Sequence, residues 1–177
     1  TGGNKVHESD GFCAALPFFL YSRSVNSIKN IISLVSTSKV SIKYGLAKFH
    51  LLDFALNGKK DPISFFTRKY KNNAYFKEVV QGIKMVKRLK SKSHNYVVKK
   101  IGISCRYPGT FNSAIHAIIK SNNYKSAILS TIRAGGCNCS RSNFVGSYFA
   151  ALKGFKTIPT NWILKCLHSR KIISLSK

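Results

Sequence analysis

The sequence predicts an all-α domain, on three observations. Apolar residues recur at three- and four-residue intervals along most of the chain, glycine, proline, serine and asparagine punctuate the ends of those stretches, and no stretch alternates apolar with polar residues as a half-buried strand would. With 177 residues, 44% of them hydrophobic, the chain can bury one substantial core. No internal repeat and no dividing linker appears, so a single domain over residues 1–177 is expected.

The elements follow in order. Gly11 to Ser22 is apolar but shorter than the roughly 20 residues a spanning helix needs, and Pro17 interrupts it. Glu8 and Asp10 stand where a secretory signal would be basic. Neither a membrane span nor a signal is therefore expected. Val25, Ile28, Ile31, Ile32 and Val35 form one helical face, broken by Ser36 to Ser38. A second helix is expected from about Val40 through Ile42, Leu46, Phe49 and Leu52 to a left-handed cap at Asn57-Gly58. Asp61-Pro62 supplies an N-cap and a first-turn proline for a short helix through Phe65, Phe66 and Tyr70.

After Asn72-Asn73, the residues Phe76, Val79, Val80, Ile83 and Val86 make another stripe. The basic run Lys84 to Lys92 reads as its solvated face and end. Lys90 to Asn95 reads as an exposed turn leading through Val97 and Val98 to Gly102. Thr110 is expected to cap a buried helix through Phe111, Ala114, Ile115, Ile118 and Ile119, ending at Ser121-Asn122. Tyr124, Ala127, Ile128 and Ile132 continue to Gly135-Gly136. Cys137 to Ser140 should then turn tightly into a helix from about Arg141 to Leu152, stopped at Gly154. Pro159 should open a last helix anchored by Trp162 and Leu167.

Thirty Lys and Arg against five acids give a formal charge of +25, and such a surface attracts anions. The joint abundance of Lys, Asn, Ser, Ile, Phe and Tyr is also what AT-rich coding yields, although that bias explains the lysines better than the missing acids. No RNA-binding aromatic motif or zinc-finger spacing accompanies the lysines, so loose polyanion binding is expected rather than sequence readout. Five cysteines at irregular spacing make a poor disulfide framework and fit reduced thiols, hence a cytoplasmic protein. The chain opens on Thr1 and its one methionine is Met85, so a segment missing upstream is expected.

Arg133 to Leu164 reads Arg-Ala-Gly-Gly-Cys-Asn-Cys-Ser-Arg-Ser-Asn-Phe-Val-Gly-Ser, then Gly154-Phe-Lys-Thr-Ile-Pro-Thr-Asn-Trp-Ile-Leu. This resembles the C-terminal signature of the ADP-ribosylglycohydrolase family, including its J1-crystallin-like branch: a helix, Gly-Gly-Asp-x-Asp-Thr or Ser, a helix with small residues, then Gly-x-x-x-Ile-Pro-x-x-Trp. Gly135, Gly136, Ser140, Gly146, Gly154, Ile158, Pro159 and Trp162 match. Pro108 to His116 looks like the preceding family helix, and Gly3 to Tyr21 is similar to a segment in which a glycine and acidic turn enters an apolar helix. The resemblance weakens between Lys59 and Lys100, and the family's N-terminal portion lies outside the chain.

The resemblance implies an orthogonal helical bundle. In active members it holds two magnesium ions that direct water at the glycosidic carbon of ADP-ribose. The family's Thr-Asp-Asp turn falls outside this sequence. Its Asp-x-Asp-Thr/Ser turn aligns with Cys137, Cys139 and Ser140, so thiols stand where two carboxylates are required. Magnesium takes oxygen ligands, whereas thiols select softer metals. The expectation is therefore a protein with degenerate hydrolysis, no cofactor, and no assigned catalytic residue.

Other readings remain open. Hydrolysis with an altered metal set is one, and a zinc bound at Cys137 and Cys139 is another, although a structural zinc needs two further ligands. Gly135, Gly136, Asn138 and Arg141, with Glu8 and Asp10, could line a cleft for an ADP-ribose-like or other anionic ligand at a helix start. Alternatively the glycines only permit the turn, Ser140 caps the helix, and Glu8 and Asp10 sit on a surface turn. His116 reads as a core histidine, Asp61 as a cap and Asp53 as a helix-face charge.

Overall fold

The computed structural model describes residues 6–175, in which the chain forms eleven α-helices and no strand. They are α1 Asp10–Ala15, α2 Val25–Val35, α3 Lys39–Leu56, α4 Pro62–Lys69, α5 Lys77–Arg88, α6 His94–Ile101, α7 Gly109–Lys120, α8 Tyr124–Arg133, α9 Asn138–Lys153, α10 Thr160–Lys165 and α11 Ser169–Leu175. A 3-10 turn follows α1 at Pro17–Leu20 and another follows α9 at Phe155–Thr157. Glu8 and Arg106 form one isolated antiparallel bridge.

Side-chain caps start several helices where the sequence places them. The Ser38 hydroxyl accepts from the Val40 and Ser41 amides at the head of α3. Asp61 accepts from Ser64 at 3.0 Å before α4, and Asn123 accepts from Ser126 at 2.9 Å before α8. Such caps satisfy amides that have no intrahelical partner. Gly58, at φ 74°, ends α3 in the left-handed conformation, and Lys59 donates back to Phe54.

Helices α3, α7 and α9 are central. α3 packs on α1, α2, α4 and α9, while α7 packs on α5, α6, α8 and α9. Phe111 of α7 stacks on Phe144 of α9, both wholly buried, and Phe12 of α1 meets Phe144 edge-on at 5.9 Å. α3 is buried around almost its whole circumference, and its inward set includes one charged residue, Lys48.

Four sequence expectations change. Residues 94–101 form a helix, α6, rather than a continuation of the turn: Ser93 caps it, and only Val97 and Val98 supply its apolar buried face, too few to show a period. Gly102 after α6 and Gly109 at the start of α7 touch backbone to backbone, so a Cβ on either would stand within 2.8 Å of the other's Cα. Thr110 does not cap α7. Pro108 holds that position, and the Thr110 hydroxyl is buried without a partner. α9 starts at Asn138, earlier than Arg141, so Ser140 lies inside its first turn and is not its cap. Leu167 is 90% exposed and anchors nothing, whereas Trp162 packs on the core beside Tyr124. No helix of the described residues is long and apolar enough to cross a membrane.

Candidate functional site

The glycine loop between α8 and α9 is fixed from below. Gly135 and Gly136 have φ of 73° and 68°, values that disfavour any side chain. Gly136 has a second constraint, since an added Cβ would collide with the Ile103 carbonyl and side chain. The contact lets the Cys137 amide donate to the Ile103 carbonyl at 2.8 Å. Cys137 is the residue before α9, and its thiol donates to the Ser140 hydroxyl at 3.1 Å.

Arg141 secures the same loop from the interior. It is wholly buried, and its guanidinium donates to the carbonyls of Thr131, Gly135 and Ile103 and to the Asn138 side chain. The sequence reading offered this cation to an anionic ligand. The structure instead gives its Nη1 and Nη2 to those carbonyls and the Asn138 amide oxygen and leaves its Nε buried without a partner.

The N-terminal segment closes the other side. His7 accepts from the Tyr107 amide through its carbonyl at 2.7 Å, and Glu8 bridges to Arg106. Ser9 is buried, and its hydroxyl meets Lys48 Nζ at 2.5 Å and the Tyr107 hydroxyl at 3.2 Å. The Lys48 ammonium also lies over the rings of Phe12, Tyr107 and Phe144, at 4.9, 5.1 and 5.4 Å from their centroids. Burial pulls the Lys48 amine down to about 8, and the nearby Cys13, Cys137 and Asp10 oppose that fall.

Burial likewise pushes up the Cys13 thiol. Cys105 is pushed up to about 11, by burial first and then by the nearby Cys137 and Glu8. Cys13, Cys137 and Asp10 thus act on the Lys48 amine, and Cys137 and Glu8 act on Cys105. Cys139 is exposed. Asp10 begins α1 with its side chain exposed, and Glu8 is half-buried and held in the bridge.

A magnesium ion does not fit these residues. Its positions would be headed by thiol sulfur, and an amine with 0% exposure already places a cation among them. Among the described residues, no three His, Cys, Asp or Glu side chains are arranged to hold a metal.

Sequence reasoning missed Lys48, which it counted with the surface lysines. The available signal was its place four residues after Tyr44 and four before Leu52, on a helix apolar nearly all round. It also missed the pairing of His116, expected as a partly buried core histidine and found wholly buried, with His94: their Nδ1 atoms are 3.0 Å apart and their rings stack. Those residues are distant in sequence, and α6 itself was not foreseen.

The chain resembles two curated crystallins of Tripedalia cystophora. It is 29% identical to Crystallin J1A over 181 residues, covering 99% of this chain and 55% of that protein. It is 37% identical to Crystallin J1B over 76 residues, 43% of this chain and 24% of that protein. The chain thus spans about half the length of the first of these relatives. A family model described as ADP-ribosylglycohydrolase matches residues 26–177, from the second residue of α2 onward and including the Gly135 loop and α9. On that match, the chain belongs to the ADP-ribosylglycohydrolase family.

Proposed function

We propose that this protein keeps the family's helical scaffold, as a J1-crystallin-like member, and has lost magnesium-dependent hydrolysis of ADP-ribosyl groups. One observation carries the reading: the residues that the family resemblance sets at the Asp-x-Asp turn are thiols, and the first of them, Cys137, interacts electrostatically with the buried ammonium of Lys48. A divalent cation there would meet sulfur and a like charge in place of carboxylate oxygen.

Calorimetric titration of magnesium into the chain tests it directly. No saturable binding is expected. Saturable binding that disappears in Cys137→Ser would refute the reading and favour hydrolysis with an altered metal set.

The charge supports a second reading, loose polyanion binding. The ion pairs among the described residues are Arg23–Asp53 at 3.8 Å and Lys43–Glu78 at 2.9 Å, against a formal charge of +25. Lys48 and Arg141 are buried and contribute no contact surface.

A further inference from the structure

The thiols around the glycine loop have a chemistry of their own, independent of hydrolysis. Cys137 heads the 16-residue helix α9, where backbone N–H groups point outward, and the Lys48 amine lies close enough to interact with it electrostatically. Reactive thiols as a class occupy helix N-termini and positions beside cations. A second thiol, Cys105, lies close enough to Cys137 for the two to interact electrostatically. The two segments are already joined through the backbone, since the Cys137 amide donates to Ile103, two residues before Cys105, at 2.8 Å. Gly136 makes that approach possible by presenting no Cβ to Ile103. Both cysteines are partly accessible.

We propose that Cys137 and Cys105 form an oxidative modification site, a dithiol that a hydroperoxide closes to a disulfide across the glycine loop. Cys137 is the attacking sulfur. It displaces hydroxide from the peroxide by breaking the O–O bond, the hydroxide takes up a proton, and Cys137 becomes a sulfenic acid. Cys105 then attacks that sulfur, the S–O bond breaks, and the departing hydroxide leaves as water with the Cys105 proton. The balance is two thiols and one hydrogen peroxide giving one disulfide and two waters. The raised affinity of Cys105 for its proton suits the resolving role, in which it reacts last and delivers that proton to the leaving group.

The product would bind the loop before α7 to the head of α9 covalently. Cys139, exposed and two residues away, is the internal control, and Cys13 is the competing partner because it also lies near Cys137.

The test treats the chain with hydrogen peroxide, blocks remaining thiols with an alkylating agent, and maps peptides without reduction. A Cys105–Cys137 crosslink reversible by dithiothreitol is expected, with Cys139 alkylated. In Cys105→Ser, Cys137 should accumulate as a sulfenic acid trapped by dimedone, and Cys139→Ser should leave the crosslink unchanged. The proposal is overturned if both thiols remain alkylatable after oxidation, if Cys137 links to Cys13 or Cys139 instead, or if dimedone labels Cys139 and not Cys137 in the Cys105→Ser chain.

Discussion

Lys48 Nζ donates to the Ser9 hydroxyl at 2.5 Å, tying the middle of α3 to the residue that precedes α1. A buried cation held by one hydroxyl and three rings is incompletely compensated for the water it has lost. Its amine is accordingly lowered to about 8 from an ordinary 10.5.

That shift has a sign. Between the folded and unfolded values the unfolded chain carries more protons, so stability should rise as pH increases from about 8 to 10.5 and be at its lower level below 8. Lys48→Met should abolish this rise and leave the chain, at pH 7, as stable as the parent or about 1–3 kcal/mol more stable. Urea unfolding at pH 7 and pH 10 measures both effects. A Lys48→Met variant that is markedly less stable at pH 7 would mean that the ammonium is well paired after all.

Acid should destabilise the protein through His94. The His116 Nε2–H donates to the Leu89 carbonyl at 3.1 Å, so the His116 Nδ1 accepts from His94 and the pair is neutral. Burial first, then competition with His116 for a proton and the positive charges of Arg141 and Lys120, lower His94 to about 4 from 6.5. The associated stability is complete above 6.5 and is lost as pH falls toward 4, a change on the order of 3 kcal/mol. His94→Gln should flatten the pH dependence of the melting temperature in that window. His50, also lowered to about 4 by burial, leaves a residual slope. An unchanged profile in His94→Gln would count against the buried pair as its source.

Much of this architecture is legible in the sequence because caps and periods are local. Asp61-Pro62, Asn57-Gly58 and the Gly135-Gly136 break all mark helix ends where they should. The site is only half legible. The family motif locates Cys137 and Ser140, but Lys48 and Cys105 come near Cys137, and Ser9 comes to Lys48, only through packing of segments distant in sequence. α6 was hidden for a related reason: its two buried valines are stabilised by α7, through the Gly102–Gly109 approach, rather than by a stripe of its own.

Gly58 and Gly136, both left-handed, should respond differently to alanine. Gly58→Ala meets open space and should cost about 1 kcal/mol from its backbone conformation alone. Gly136→Ala adds the collision with Ile103 and should cost about 3 kcal/mol or more. Equal losses in thermal melting would show that the Ile103 contact yields easily.

Polyanion binding should be steep in salt and indifferent to sequence, because dispersed exposed lysines displace counterions without reading base edges. Titration against unrelated duplexes and single strands at two salt concentrations checks it. A preference for one sequence that survives high salt would point to a specific nucleic-acid surface.

The most direct measurement on the central claim is release of ADP-ribose from an ADP-ribosylated protein, compared in magnesium and in chelator. The thiols at Cys137 and Cys139 and the buried ammonium of Lys48 predict release no greater than the uncatalysed background in both. Turnover in magnesium that chelator abolishes and Cys137→Ser eliminates would contradict the account.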